Sequence, residues 1–312
     1  AVIRRTEPSP DVDLDSFPFP ARNLTEKYRA HYYSEWMKPL ASIRTSKGCP
    51  YRCHFCAEWK IAGGRYYKRE PERIVEELAQ IAEPYVFFAD DESLIDAQRM
   101  GLLAGLIKQA GIRKKYFLYG RSDTIARNRA LLELWKEIGL ERVFVGVEFV
   151  RDDDLRFVRK NSTANDNTES IRILQDLDIH VYASFIVRPE FSRKDFAACM
   201  AYCRQTKLSY ATFSVLTPLP GTDLYDATRD TLLTQNPDYC DFIHTLLPTA
   251  LPLEEFYAEL SRLYRRAVPV RRQLMLLKKF SPGEIPKVLN TGRRFYKRLK
   301  TVHLDYAQCV SL

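Results

Sequence analysis

Cys49, Cys53 and Cys56 stand in the run Ser46-Lys-Gly-Cys-Pro-Tyr-Arg-Cys-His-Phe-Cys-Ala57, a C-x3-C-x2-C loop with no fourth cysteine in register. Three thiolates on one short irregular loop can hold three irons of a cubane iron–sulfur cluster and leave the fourth iron open to another ligand. Chemistry is expected at that open corner. A structural zinc site instead closes with four N or S ligands, usually as two separated pairs, and the only local histidine here, His54, abuts Cys53. Disulfides need an oxidising compartment, whereas this sequence opens on no secretory pattern and uses its seven cysteines sparsely. We therefore expect free or metal-bound thiols and a cytoplasmic setting.

The elements around the loop must present it. Strands are predicted at 41–46, 85–89, 116–121, 142–149, 181–187 and 210–216, with helices between them, for example at 71–81, 94–109, 129–138 and 168–177. Pro71 near a first turn and Gly111 and Gly139 just past last turns mark helix ends. Apolar strands without alternation, each followed by a helix, imply a parallel sheet covered on its outer face. Six such units give an α/β fold, an incomplete (β/α)6 barrel. In such barrels reactive groups collect just beyond the C-terminal strand ends. Cys49 follows the first strand, Asp90-Asp91-Glu92 the second and Arg121-Ser122-Asp123 the third, and Glu148 ends the fourth.

At 312 residues, with 46% apolar and 28% charged composition, the chain can bury a large soluble core. No stretch approaches the roughly 18 apolar residues of a membrane-spanning helix. Residues 1–40, with Pro8, Pro10, Pro18 and Pro20, read as a linker, 41–225 as the barrel, and 226–312 as a basic helical region. A chain that begins at Ala1 with a linker reads as the later part of a longer polypeptide. The net charge of +8 is concentrated near the C-terminus, from Arg262 to Lys300. That surface can face solvent, nucleic acid or anionic lipid. Leu274, Met275, Leu276, Leu277 and Phe280 interleave with its charges as in an interfacial helix, which favours peripheral membrane contact.

The cysteine loop, with aromatic Phe55 before its third cysteine, resembles that of the radical S-adenosylmethionine enzymes, and the likeness extends over most of 41–224 in strand order. The resemblance implies a [4Fe-4S] cluster on Cys49, Cys53 and Cys56. It also implies S-adenosyl-L-methionine chelating the iron that no cysteine holds, reductive release of a 5′-deoxyadenosyl radical, and a flavodoxin- or ferredoxin-like electron donor. By the same analogy Phe55, Asp91, Glu92, Arg121 and Glu148 bind the cofactor. Glu92 takes its ammonium, Arg121 its carboxylate through the planar guanidinium fork, and Glu148 the ribose hydroxyls. Carboxylates at Asp90 and Asp91 replace the family's glycines. The glycine-rich motif of the fifth strand survives only as Phe185-Ile-Val-Arg-Pro-Glu190.

The run Asp13-Leu-Asp-Ser-Phe-Pro-Phe-Pro-Ala-Arg-Asn-Leu24 ahead of the first strand is similar to the junction in cobalamin-dependent members, whose cobalamin-binding domain lies upstream and is not part of this chain. Runs such as Phe88-Ala-Asp-Asp-Glu-Ser93 and Thr217-Pro-Leu-Pro-Gly-Thr-Asp-Leu-Tyr225 are similar to the hopanoid C-3 methylases. The expected reaction is then methylation of an unactivated carbon in a small-molecule polycyclic lipid. The alternative is an oxidation or cyclisation without methyl transfer, as in tetrapyrrole cyclases. No catalytic acid or base is assigned, and hydrogen-atom transfer needs none. A zinc loop with a basic RNA-binding C-terminus is a further reading, but no nucleic-acid partner is expected. Cys199, Cys203, Cys240 and Cys309 read as structural, and His31, His180, His244 and His303 lack ligand-like partners in sequence.

Overall fold

The computed structural model describes residues 13–308, so Pro8, Pro10 and Cys309 lie outside the described residues. Six strands, β1 (Leu40–Ile43), β2 (Tyr85–Phe88), β3 (Lys115–Arg121), β4 (Leu140–Glu148), β5 (His180–Val187) and β6 (Ala211–Val215), form one sheet in chain order. Every neighbouring pair is parallel, and β1 and β6 are the two edges of an open (β/α)6 barrel. The connections run through helices Pro71–Gln80, Ala97–Gln109, Arg129–Glu137, Ala164–Asp176 and Arg193–Gln205.

The outer strand face explains this architecture. Val86, Phe88, Tyr116, Leu118, Val143 and Val145 are completely buried beneath the helices. The Trp135 ring stands edge-on to both Phe88 and Tyr116 at 5.5 Å. Each such side chain removed from water contributes about 1.5–3 kcal/mol. Helix starts differ from the sequence expectation where a cap intervenes. Thr163 and Asp166 form a capping box that starts the predicted 168–177 helix at Ala164, and Asp96 accepts from the Arg99 N–H at 3.0 Å, starting another at Ala97.

The inner face holds a stack of half-buried aromatic rings. Tyr119 lies 4.7 Å from Phe144, Phe144 5.0 Å from Tyr182, and Tyr182 4.6 Å from Tyr210. Below them the Arg142 guanidinium, 1% exposed, sits over the rings of Trp36 and Tyr182 at 4.8 and 4.4 Å and pairs with Glu35. Glu35 also accepts from the Tyr210 hydroxyl at 3.1 Å. Residues 34–37 therefore floor the barrel.

The N-terminal segment is less extended than its prolines suggest. Residues Leu14–Ser16 and Arg22–His31 wind into 3-10 turns. They are pinned because Arg22 reaches buried Glu77, Arg29 reaches buried Glu83, and Asp15 lies 3.5 Å from Arg69. At the other edge, the Tyr264 hydroxyl accepts from the Phe213 N–H at 3.1 Å and donates to its carbonyl, closing β6. Helix Leu253–Arg266 buries Phe256, Tyr257, Leu260 and Leu263, so the barrel core continues into the C-terminal helices. Two further helices, Val270–Leu277 and Ile285–Thr301, follow. Among the described residues no helix is long and apolar enough to cross a membrane.

Candidate active site

The cysteine loop is held from both ends. Asp90, 2% exposed, accepts from the N–H groups of Thr45 at 2.7 Å and Ser46 at 2.9 Å, and from the Thr45 hydroxyl at 2.6 Å. Its carboxylate fastens the exit of β1 to the end of β2. Gly48 then turns at φ +87°, where an added Cβ would stand 2.1 Å from the Arg65 carbonyl oxygen, so only glycine fits. Beyond the cysteines, the His54 N–H donates to the Val158 carbonyl at 2.9 Å, and the His54 carbonyl accepts from the Leu224 N–H at 3.0 Å. Within the loop, the Cys56 N–H and the Trp59 indole N–H both donate to the Cys53 carbonyl at 3.1 Å.

The three thiols lie on the loop that follows β1, with Cys53 buried and Cys49 and Cys56 partly exposed; among the described residues no three His, Cys, Asp or Glu side chains are arranged to hold a metal ion as they stand. Burial pushes the Cys49 thiol up to about 11 and raises that of Cys56, and the neighbouring Cys53 adds to both. Deprotonation at neutral pH therefore has to be driven by a metal, and loading releases protons.

Around the thiols stand most of the residues singled out in the sequence. Arg121 ends β3 with its guanidinium 5% exposed. It donates to Asp123 at 2.9 Å and to the Lys160 carbonyl, approaches Cys53 Sγ at 3.8 Å, and lies 3.6 Å over the Tyr51 ring. Glu92, 2% exposed, accepts from the Arg121 backbone N–H at 3.1 Å through Oε1, while its buried Oε2 has no hydrogen-bond partner among the described residues. Glu148 is turned by a bulge in β4 between Gly146 and Glu148, and its own φ of +60° is one that a non-glycine residue rarely adopts. Its Oε1 accepts from Lys160 Nζ at 2.8 Å. A Cβ at Gly146 would stand 2.6 Å from that carboxylate and 2.9 Å from the lysine nitrogen, so the glycine makes room for the pair.

Two residues are placed differently from a simple rim of ligands. Asp91, expected at the cofactor, is engaged by the Gly48 N–H and lies 3.7 Å from Arg44, so in this structure it fastens the cysteine loop. Phe55 packs partly buried against the hydrophobic core. Tyr51 and Lys160 were missed in the sequence. Tyr51 offered one signal, an aromatic inside the C-x3-C spacing. Lys160 lies in the turn after helix Asp152–Phe157, where nothing local distinguishes it. Away from the site, Cys199 and Cys203 are buried in helix Arg193–Gln205. His244 bridges Asp241 at 2.8 Å and Asp305 at 2.9 Å.

These groups fit an iron–sulfur cluster chelated by an amino acid. Three soft sulfur donors come from one loop, a guanidinium flanks them, and a buried carboxylate oxygen lacks a hydrogen-bond donor. Burial pushes the Glu92 carboxyl up to about 7 against the pull of Arg121. The folded state then keeps a proton that the unfolded chain loses near pH 4.3, so stability falls as pH rises from about 4.3 to about 7, by on the order of 3 kcal/mol. Glu92→Gln is expected to flatten that decline in unfolding midpoints of cluster-free protein. An unchanged slope would remove Glu92 as the titrating group.

The Radical SAM superfamily model matches residues 43–203. The hopanoid C-3 methylase of Methylococcus capsulatus is 38% identical over 241 residues, covering 77% of this chain and 46% of that protein. An anaerobic magnesium-protoporphyrin IX monomethyl ester cyclase of Cereibacter sphaeroides is 27% identical over 237 residues, 73% of this chain and 38% of that protein. The chain thus spans less than half the length of either relative. Among solved structures, the radical S-adenosylmethionine methyltransferase TsrM from Kitasatospora setae superposes with a TM-score of 0.63 at 19% identity, covering 90% of this chain and 56% of that one. At that identity the likeness speaks for the fold alone.

Proposed function

Because this chain belongs to the radical SAM superfamily, we propose that it is the catalytic barrel of an enzyme that methylates an unactivated carbon of a polycyclic lipid, with cobalamin as methyl carrier held by an upstream domain. The observation that supports the reading is the three-cysteine loop whose buried Cys53 lies against Arg121, near a Glu92 oxygen with no hydrogen bond among the described residues, in a chain 38% identical to a hopanoid methylase. Bound there, a [4Fe-4S] cluster and S-adenosylmethionine would supply one-electron reduction and hydrogen-atom abstraction, and the cobalamin of the upstream domain the methyl transfer.

The chain's own residues bind, orient and exclude water. Cys49, Cys53 and Cys56 anchor the cluster. The free Oε2 of Glu92 accepts the ammonium of S-adenosylmethionine, which supplies the missing donor and favours the ionised carboxyl. Arg121 is already engaged by Asp123, Lys160 and Tyr51, so it holds its N–H groups in fixed directions for a carboxylate and steadies Cys53. Lys160 fixes Glu148 toward the ribose. The aromatic stack from Tyr119 to Tyr210 and the floor beneath it keep water from entering the barrel from below.

The test is product mass. Full-length protein given cobalamin, S-adenosylmethionine, a flavodoxin- or ferredoxin-like reductant and a hopanoid is expected to yield a product heavier by one methyl group. Accumulation of 5′-deoxyadenosine without that product would end the methylase reading, and a product poorer in hydrogen or richer in oxygen would point to the cyclase type.

A further inference from the structure

We propose that helix Val270–Leu277 is a docking element for an anionic lipid bilayer. Val270, Leu274 and Lys278 lie in one i, i+4 row, with Arg271 and Met275 in the row beside it, so three apolar and two cationic side chains share one exposed surface. The three apolar ones are left in water, at 66% exposure for Val270, 55% for Leu274 and 59% for Met275. The opposite face, with Gln273, Leu276 and Leu277, is half-buried, and the Gln273 amide donates to the Val268 carbonyl at 2.8 Å, which fixes which side turns outward.

Charge decides the partner. Between Val270 and Lys300 the sequence carries ten Lys and Arg and a single carboxylate, Glu284. That carboxylate is taken by Ser281 and Lys38. Among the described residues, the ion pairs of these ten cations are those of Lys279 with Glu141 and Arg298 with Asp305 alone. Arg271, Arg272 and Lys278 flank the aliphatic and thioether side chains of this helix along the chain, a combination suited to headgroup phosphates above acyl chains. Nucleic acid would be gripped by exposed rings for stacking, and this helix presents none.

The placement leaves the reaction site accessible. Lys279 pairs with Glu141 at the start of β4, and Phe280 packs edge-on against Trp36 of the floor at 6.3 Å. The helix therefore sits beside the barrel's floor, at the end opposite the cysteine loop, and a docked molecule keeps that loop open to an electron donor.

Sedimentation of the full chain with vesicles tests this. The wild-type chain is expected to sediment with phosphatidylcholine vesicles containing phosphatidylglycerol at low salt, and to stay in solution with phosphatidylcholine alone. The pair L274E and M275E should weaken retention about tenfold or more, while R271E with K278E should weaken it and reduce its salt dependence. The proposal is overturned if the wild-type chain is not retained, if L274E with M275E is retained as well as wild type, or if RNA binds the chain and competes the vesicles away. Docking and radical chemistry fail separately: L274E with M275E keeps reductive cleavage of S-adenosylmethionine, and Cys53→Ala keeps vesicle binding.

Discussion

In Cys53→Ala, reconstituted anaerobically with iron and sulfide, reductive cleavage of S-adenosylmethionine is expected to fall to background and bound iron to fall with it. Cys53 is the buried member of the trio, its carbonyl accepts two of the loop's hydrogen bonds, and Arg121 packs against its sulfur at 3.8 Å. Removing it deletes one of three anchors and leaves the guanidinium facing a void. Removing a supporting contact should cost far less. Tyr51→Ala deletes only the ring beneath Arg121, and losses of about 10–100-fold are usual for groups that merely orient a metal site. Parallel assays of cleavage and iron content distinguish anchor from support. Undiminished cleavage in Cys53→Ala would take the cluster out of the account.

The second large effect concerns the floor. Arg142→Met strands Glu35, whose carboxyl is otherwise raised by burial but held below the usual range by Arg142, Ser34 and Tyr210. Breaking a buried pair by removing one partner costs about 3–5 kcal/mol. Glu35 keeps 26% side-chain exposure, so about 3 kcal/mol is expected. The low Glu35 pKa adds a direction. Its stabilisation is complete above the unfolded value near 4.3 and is lost as pH falls through the lower folded value. Denaturant midpoints of cluster-free protein should therefore drop in Arg142→Met at pH 7, and partly recover when Glu35→Gln is added. An unchanged midpoint would show that the floor is not needed for folding.

The parts of the molecule legible from the sequence are those whose physics is local. The cysteine loop stands out because three cysteines lie within eight residues, and strands β2 and β3 because runs such as Tyr85-Val-Phe-Phe88 are apolar throughout when both faces are covered. Order along the chain was enough to bring Asp90, Glu92, Arg121 and Glu148 to one rim, since successive strands of this barrel are neighbours. Pairings between distant positions left no local trace. Glu35 and Arg142 meet across 107 positions, and each alone reads as an ordinary surface charge. Lys160 becomes notable only when Glu148, twelve residues earlier, is turned toward it by the bulge in β4. Asp91 likewise carries no local sign of its bond to the Gly48 N–H, which is fixed by the fold of the loop.

The central claim is that three sulfurs hold a cubane with one iron left for S-adenosylmethionine. Electron paramagnetic resonance of the reduced, anaerobically reconstituted chain tests it most directly. A [4Fe-4S] signal that changes when S-adenosylmethionine is added is the predicted result. A signal indifferent to S-adenosylmethionine, or a protein that takes up zinc and no iron, would contradict it.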